Sequence, residues 1–512
     1  MSFICAIDVG TASARAGIFD LEGRLLGRES RPIILWQEGG LSALSSSNII
    51  EAICDAVQAA LAMARVEPRE VAALGFDATC SLVLRNRSGG PLMENGRDTI
   101  PWFDHRALHE AAKIDKTGDK VLDYLGKTIS PEMQVPKLLW LKQQRPDLWE
   151  ALGGAYDLAD FLTLWATGST RRSICTLAAK WTYLPDAGGW QQAFFDRIGL
   201  SDLREKAALP DAASAVGTAI GALTSEAATR LGLRAGIPVA AGMIDAYAGA
   251  LGVLGNSTDA SPALAMIAGT STCIMALSPQ PWAAPGVWGP FDGAVLPGVQ
   301  ACEGGQSATG ALLDHVMRIN GLEPTGETHE RIERHIRTCL SREGMAYASG
   351  LHLLPDFNGN RSPFGDAMAR GTIIGLTLER GFEAACRLYW RAAVALALGV
   401  RQIVEHMQAH GGPRADRLIL TGGHGRSELL VQLYADVTGR EVHLCHQPDA
   451  VLTGTAMAAA AAGPLGDIRT AAAAMSFGTR PYPPSPERHA AFARDYEIFL
   501  QLQSCRSAIS AL

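Results

Sequence analysis

An apolar run that ends in Gly-Thr, turns through small polar residues and returns as a second apolar run occurs twice in this chain. The first copy is ICAIDVGTASARAGIFD, beginning at Ile4; the second is ALAMIAGTSTCIMALS, beginning at Ala263. Each reads as strand, tight loop, strand, because short runs rich in branched apolar residues and bounded by Gly are buried strands. Two copies of one supersecondary unit predict a duplicated fold. The length agrees: a single core stops growing at about 250–300 residues, and the chain has 512. Two domains are expected, 1–247 and 248–512, with Asp245 at their junction.

The first copy is followed by the turn Leu21-Glu22-Gly23 and the run RLLGRES, which predicts a three-stranded antiparallel start. Ile49, Ile50, Ile53, Val57, Ala60 and Leu61 recur at helical spacing over 48–65. VAALGFD and TCSLVLRN read as further strands. In the second half a helix is expected over about 307–318, then strand, Gly-Gly loop, helix and strand through DRLILTGGHGRSELLVQLYADVTGREVHL. VLTGTAMAAAAAG reads as a small-residue helix that packs closely on a sheet. Both halves are therefore α/β.

Composition removes several classes of function. A net charge of −7 without basic runs argues against a nucleic-acid or anionic-membrane surface. The ten cysteines are scattered and form no C-x-x-C pair, so they read as reduced, mostly buried thiols of a cytoplasmic protein. The opening MSFICAIDVG meets Asp8 with no basic stretch before it and is not read as a signal peptide. The apolar run 236–255 has the length of a membrane span, but Pro238 and a central Asp245 make it strand, loop and helix of a buried core instead.

Three loops and one carboxylate carry the chemistry. In the first hairpin, Thr11, Ser13 and backbone N–H groups can donate to phosphate oxygens, with Arg15 just beyond. Asp8, at the strand end, can hold Mg²⁺. Taken alone, this is also what an ordinary hairpin with a capping Asp looks like. The second hairpin offers Gly269-Thr270-Ser271 at the matching position, and two such loops facing one cleft would clamp a triphosphate. Gly422 and Gly423, between a strand and a helix, let the backbone approach a ligand. Asp245 is a lone carboxylate in an apolar run, which is costly unless it is paired, capping or functional.

Together these elements resemble the FGGY family of carbohydrate kinases, within the actin-like ATPase superfamily, from end to end. GFDATCSLV, WFDHRA, SPEMQVPKLLWL, KWTYL, GMIDAYAG, EGGQSATG and DFNGNRSP are similar to its ribulokinase branch, most of all the D-ribulokinase group. The resemblance implies two actin-like (ribonuclease H-like) domains with the active site in the cleft between them. It implies ATP and Mg²⁺ as cofactors and D-ribulose as the sugar, with ribitol or L-ribulose as the nearest rivals. A non-metabolic actin-like ATPase or an inactive sugar sensor is the rival of another class. A homodimer is the family habit.

Residue by residue, the resemblance puts Asp8 near Mg²⁺, and Thr11, Ser13 and Arg15 at the phosphate end. Gly269 and Thr270 would form the second phosphate loop. Gly310 and Gly422-Gly423 with Ser427 would hold the nucleotide. Asp245 would be the catalytic base, beside the metal. Lys180 and Glu303 would bind sugar hydroxyls, although unaided Lys180 reads as a surface lysine and Glu303 equally as a turn carboxylate or a functional one. Asp77 and Cys80 would lie in the wall of the sugar pocket. Two departures stand out. The stretch 43–47 lacks the Glu and Gln common in ribulokinases, and Arg426 replaces a lysine that often precedes the serine of the nucleotide loop. Asp104, His105, His109 and Glu110 read as a solvated helix face, with Trp102 and Arg106 shaping the pocket. Asn358-Gly359-Asn360-Arg361 reads as a tight turn without a chemical role.

Overall fold

The structure is a computed structural model and describes residues 2–257, 262–446 and 449–510. Two seven-stranded sheets dominate it, and they share one plan. In the first, Phe3–Val9, Ser13–Phe19 and Leu25–Pro32 form an antiparallel meander. Val71–Ala78 then joins Phe3–Val9 in parallel, Pro238–Ala240 follows in parallel, and Ala219–Ala222 closes that side antiparallel. In the second, Ala263–Ala268, Thr272–Ser278 and Gln300–Gln306 form the meander. Arg417–Thr421 and Glu441–Cys445 follow in parallel and Thr479–Tyr482 closes antiparallel. The duplication expected from the two hairpins is thus the organising feature of the chain.

Local sequence accounts for the main helices. The first runs Ser46–Ala64, buries Ile49, Ile53, Val57 and Ala60 against Ser13–Phe19 and Leu25–Pro32, and is capped by Ser45, whose side chain accepts from Asn48 N. The departing stretch 43–47 therefore does packing work. Ser46 donates from both its N and its Oγ to the buried Asp98, at 2.8 and 2.6 Å. The apolar run 236–255 resolves into strands Pro238–Ala240 and Met243–Ile244 and the helix Asp245–Leu254.

Two helices join the halves. Asp245–Leu254 leaves the first sheet and packs on Ala263–Ala268 of the second. Ala450–Ala462 leaves the second sheet and packs on Phe3–Val9 and Val71–Ala78 of the first. They cross each other at glycines: a Cβ on Gly454 would stand 1.8 Å from Ala248 O, and one on Gly252 2.1 Å from Ala450 O. Only side-chain-free positions allow that approach. The small-residue helix does pack closely on a sheet, but on the sheet of the other half.

The solvated face expected around residues 104–110 holds for the exposed His109 but not for the two carboxylates. The helix there is Leu108–Asp115, so Asp104 and His105 precede it. Asp104 is buried, accepts from Ser42 N at 2.6 Å and is gripped by Arg106 at 2.7 and 2.8 Å. Glu110 is buried as well. A carboxylate gripped by a guanidinium fork tolerates burial that a lone one would not.

Candidate active site

Sheet register builds the first part of the site. Asp8 lies opposite Arg15 in the antiparallel pair and beside Asp77 in the parallel pair. Arg15 Nη2 reaches Asp8 Oδ2 at 2.6 Å, and Arg15 Nη1 lies 3.6 Å from Asp449 Oδ2. Asp449 caps the helix Ala450–Ala462, so the second half contributes a carboxylate to the first hairpin. Burial raises the Asp8 pKa, against the pull of Arg15; burial and the neighbouring Asp8 hold Asp77 well above the usual carboxylate range. Burial and mutual repulsion thus raise both carboxyls, while the ion pair with Arg15 favours the charged form of Asp8.

The two hairpin loops are built alike. Gly10 N donates to Ser13 O at 3.0 Å, and Gly269 N donates to Ser271 O at 2.8 Å. The start of the helix Gly310–Ile319 presses on the second loop, with Gly310 N donating to Gly269 O at 3.0 Å. A Cβ at Gly310 would stand 2.7 Å from that oxygen, which explains the glycine. Gly422 has φ +94, and a Cβ there would stand 2.5 Å from Ala268 O, so the turn into the following loop needs glycine twice over.

A cavity of about 380 Å³ joins these loops. Thr11, Ser13, Arg15, Gly269, Thr270, Gly422 and Gly423 line it on one side, and Cys80, Lys180, Glu303, Glu132 and Arg361 on another. Asp245, the first residue of its helix, lines the same cavity, and its Oδ1 accepts from Ala246 N at 2.8 Å. Burial raises its pKa. Trp102 also lines the cavity and donates from Nε1 to Thr11 Oγ1 at 3.1 Å.

The charged groups of the cavity alternate in sign and in origin. Lys180 Nζ lies 3.6 Å from Glu303 Oε2 and 4.1 Å from the centre of the Trp288 ring. Arg361 Nη1 donates to Glu303 Oε1 at 3.1 Å, and its Nη2 donates to Glu132 Oε2 at 3.3 Å. Lys180 and Glu132 come from the first half, Glu303 and Arg361 from the second. Burial alone would raise Glu132, but Arg361 and His105 outweigh it and pull its pKa to about 2. Burial alone would lower Lys180; Glu303 leads the opposing terms, and the net shift is upward. Glu132, Lys180 and Arg361 are therefore charged at neutral pH. Burial pushes Cys80 up to about 12, so it is a thiol.

Three expected residues sit elsewhere. Asp77 does not reach the sugar-side wall: the parallel register puts it beside Asp8, where Thr455 Oγ1 donates to its Oδ2. Ser427 is spent on capping Glu428–Thr438, accepting from Leu430 N at 3.2 Å. Gly310 supports the second loop from behind. None of the three is among the residues lining the cavity, and neither is Asp8, which is buried against Arg15. In turn, Glu132, Trp288 and Asp449 join the site without having been singled out in the sequence, and Arg361 gains a chemical role. The turn Asn358-Gly359-Asn360-Arg361 was noticed, and its role is to deliver Arg361.

Two family models match the chain: the N-terminal domain of the FGGY family of carbohydrate kinases over residues 3–252, and its C-terminal domain over 264–463. The chain belongs to the FGGY family of carbohydrate kinases. It is a sugar kinase. An FGGY carbohydrate kinase domain-containing protein of Xenopus laevis is 40% identical, over 100% of this chain and 98% of that protein. The D-ribulokinase YDR109C of Saccharomyces cerevisiae is 33% identical, over 90% of this chain and 72% of that protein. A crystal structure of xylulose kinase from Rhodospirillum rubrum shares the fold, with a TM-score of 0.79, 22% identity and 99% of each chain covered.

The turn that follows Gly422 also holds a titratable group with a sharp consequence. His424 is buried; its Nδ1 meets Tyr434 OH at 2.9 Å and its Nε2 finds no partner. Burial, with His329 adding to it, pushes its pKa down to about 4. The unfolded chain takes up a proton near pH 6.5 that the folded chain refuses until about pH 4, so stability falls as pH drops through that window. About 2 kcal/mol should be lost between pH 7 and pH 5 from this group. Urea titrations at the two pH values should show a steeper loss for the wild type than for His424→Gln. Parallel losses would remove His424 from the account.

Proposed function

We propose that this chain transfers the γ-phosphoryl group of ATP to the terminal hydroxyl of D-ribulose, giving ADP and D-ribulose 5-phosphate. The observation that carries the reading is the single cavity joining two phosphate-type hairpins to the Lys180–Glu303–Arg361–Glu132 ring, with Asp245 on its wall. The likeness to a yeast D-ribulokinase supports the choice of sugar.

In this reading the loops at Gly10–Ser13 and Gly269–Ser271, with Arg15, hold the phosphates. Gly422-Gly423 leaves room for the nucleotide. Lys180 and Glu303 bind sugar hydroxyls and fix their orientation, which is most of what phosphoryl transfer asks of a protein. Asp245 accepts the hydroxyl proton as the new O–P bond forms and the bond to the leaving ADP oxygen breaks. Its raised pKa makes it a better proton acceptor than an ordinary carboxylate. Asp8 suits a hard divalent cation: it is fully buried, and its Oδ1 has no hydrogen-bond partner. Asp8 and Asp245 would hold Mg²⁺, which when bound offsets the charge on the phosphates.

ADP release from MgATP, measured against a panel of pentuloses, pentitols, hexuloses and glycerol, tests the reading. D-ribulose should give the highest kcat/KM. A higher value for ribitol or L-ribulose would move the sugar and keep the reaction. No turnover with any panel member would overturn the proposal.

A further inference from the structure

Arg361 reaches the sugar side of the cavity from an irregular loop, so something must hold that loop in place. Its internal bonds are short-range. Asn360 N donates to Asp366 O at 2.8 Å, Gly365 N donates to Arg361 O at 3.1 Å, and Phe364 N donates to Asn360 Oδ1 at 3.1 Å. On one side Ser362 Oγ accepts from Gly305 N at 3.0 Å, tying the loop to the strand that carries Glu303. On the other side stands Asp356, a buried carboxylate whose Oδ1 accepts from Asn360 Nδ2 at 2.9 Å.

Asp356 is matched from a distant part of the chain. Arg506, near the end of the helix Pro486–Ser510, donates from Nη1 to Asp356 Oδ2 and to Arg370 O, the latter at 3.2 Å. Both side chains of the ion pair are largely buried, at 12% and 7% exposure. Removing one partner of such a pair leaves a buried charge uncompensated. The helix itself does not depend on Arg506. Asp495 pairs with Arg391, Tyr496 OH donates to Glu405 Oε2 at 2.8 Å, and Gln503 exchanges hydrogen bonds with Gln402 at 2.8 and 3.0 Å.

We propose that Arg506 is a positioning residue for the sugar site, acting through Asp356 and Asn360 to hold the loop that aims Arg361 at Glu303 and Glu132. The C-terminal helix is then a strut for the sugar pocket and not only a cover for the second domain. The inference rests on the assignment of this side of the cavity to the sugar.

The test uses the full chain with Arg506→Gln, Arg506→Lys and Asp356→Asn. Amide hydrogen exchange across 356–366 should quicken about tenfold in Arg506→Gln, while amides of 490–503 keep their wild-type rates. With whichever sugar the wild type phosphorylates, KM for the sugar should rise about fivefold or more, with kcat and KM for ATP within about twofold. Arg506→Lys should recover part of the sugar KM, and Asp356→Asn should reproduce the exchange change. Unchanged exchange in the loop would overturn the proposal, as would a uniform quickening along the helix. The exchange readout needs no substrate, so a failed sugar assignment and a failed strut give different results.

Discussion

Asp245→Asn is expected to lower kcat by about 10²- to 10⁴-fold, the range a general base contributes, while the fold and ADP binding survive. The two side chains have the same shape. The Asn oxygen can still accept from Ala246 N, the bond that holds the carboxylate at the start of its helix. Among the described residues Asp245 makes no ion pair, and burial already works against its charge. Removing that charge also relieves repulsion with Asp8. The melting temperature should therefore hold or rise, and calorimetric titration should give an ADP affinity close to wild type. A loss of rate with unchanged stability is the signature of a group that acts on the reacting proton. A variant that keeps a near wild-type rate would sink the assignment of Asp245 as base. A variant that unfolds would mean that the carboxylate holds the helix and not the substrate.

Asp245 was legible in the sequence because a lone carboxylate in an apolar run is conspicuous. The two hairpins were legible because their signal is local: alternation of apolar runs around Gly-Thr needs no knowledge of the rest of the chain. What depends on distant pairing was not. Asp77 stands one residue from the end of its strand just as Asp8 does, but its neighbour is decided by the parallel register, which puts it beside Asp8. The small-residue character of Ala450–Ala462 announced close packing without saying on which sheet. Ser427 carried a readable warning: a serine before Glu428 and two leucines is a helix cap, and the structure uses it as one. Glu132 and Arg361 lie in stretches that stand out, but nothing local pairs them. They meet across 229 residues, one from each half of the chain.

Arg361→Ala should be the most damaging single change on the sugar side. Arg361 stands between two buried carboxylates, Glu303 and Glu132, and donates to both. Without it the pair must either stay charged in a low-dielectric wall or take up a proton. Breaking a buried pair by deleting one partner costs about 3–5 kcal/mol, and here one cation serves two anions. The Glu132 pKa, held near 2 chiefly by this guanidinium, should climb. Among the described residues Glu303 would keep only Lys180 as a cationic partner and would turn toward it, leaving the orientation proposed for binding the sugar. We expect kcat/KM for the sugar to fall by at least about 10²-fold, about 2.7 kcal/mol of transition-state stabilisation. Arg361→Lys should restore little, because one ammonium cannot reach both carboxylates as a planar fork does. Stability and activity can then be separated. Combining Arg361→Met with Glu132→Gln removes one unpaired charge, so the urea midpoint should recover much of the loss while kcat/KM stays low. Should Arg361→Ala cost less than about 1 kcal/mol, the pair behaves as an exposed one. Should the double variant recover activity together with stability, Arg361 serves the fold and not the sugar.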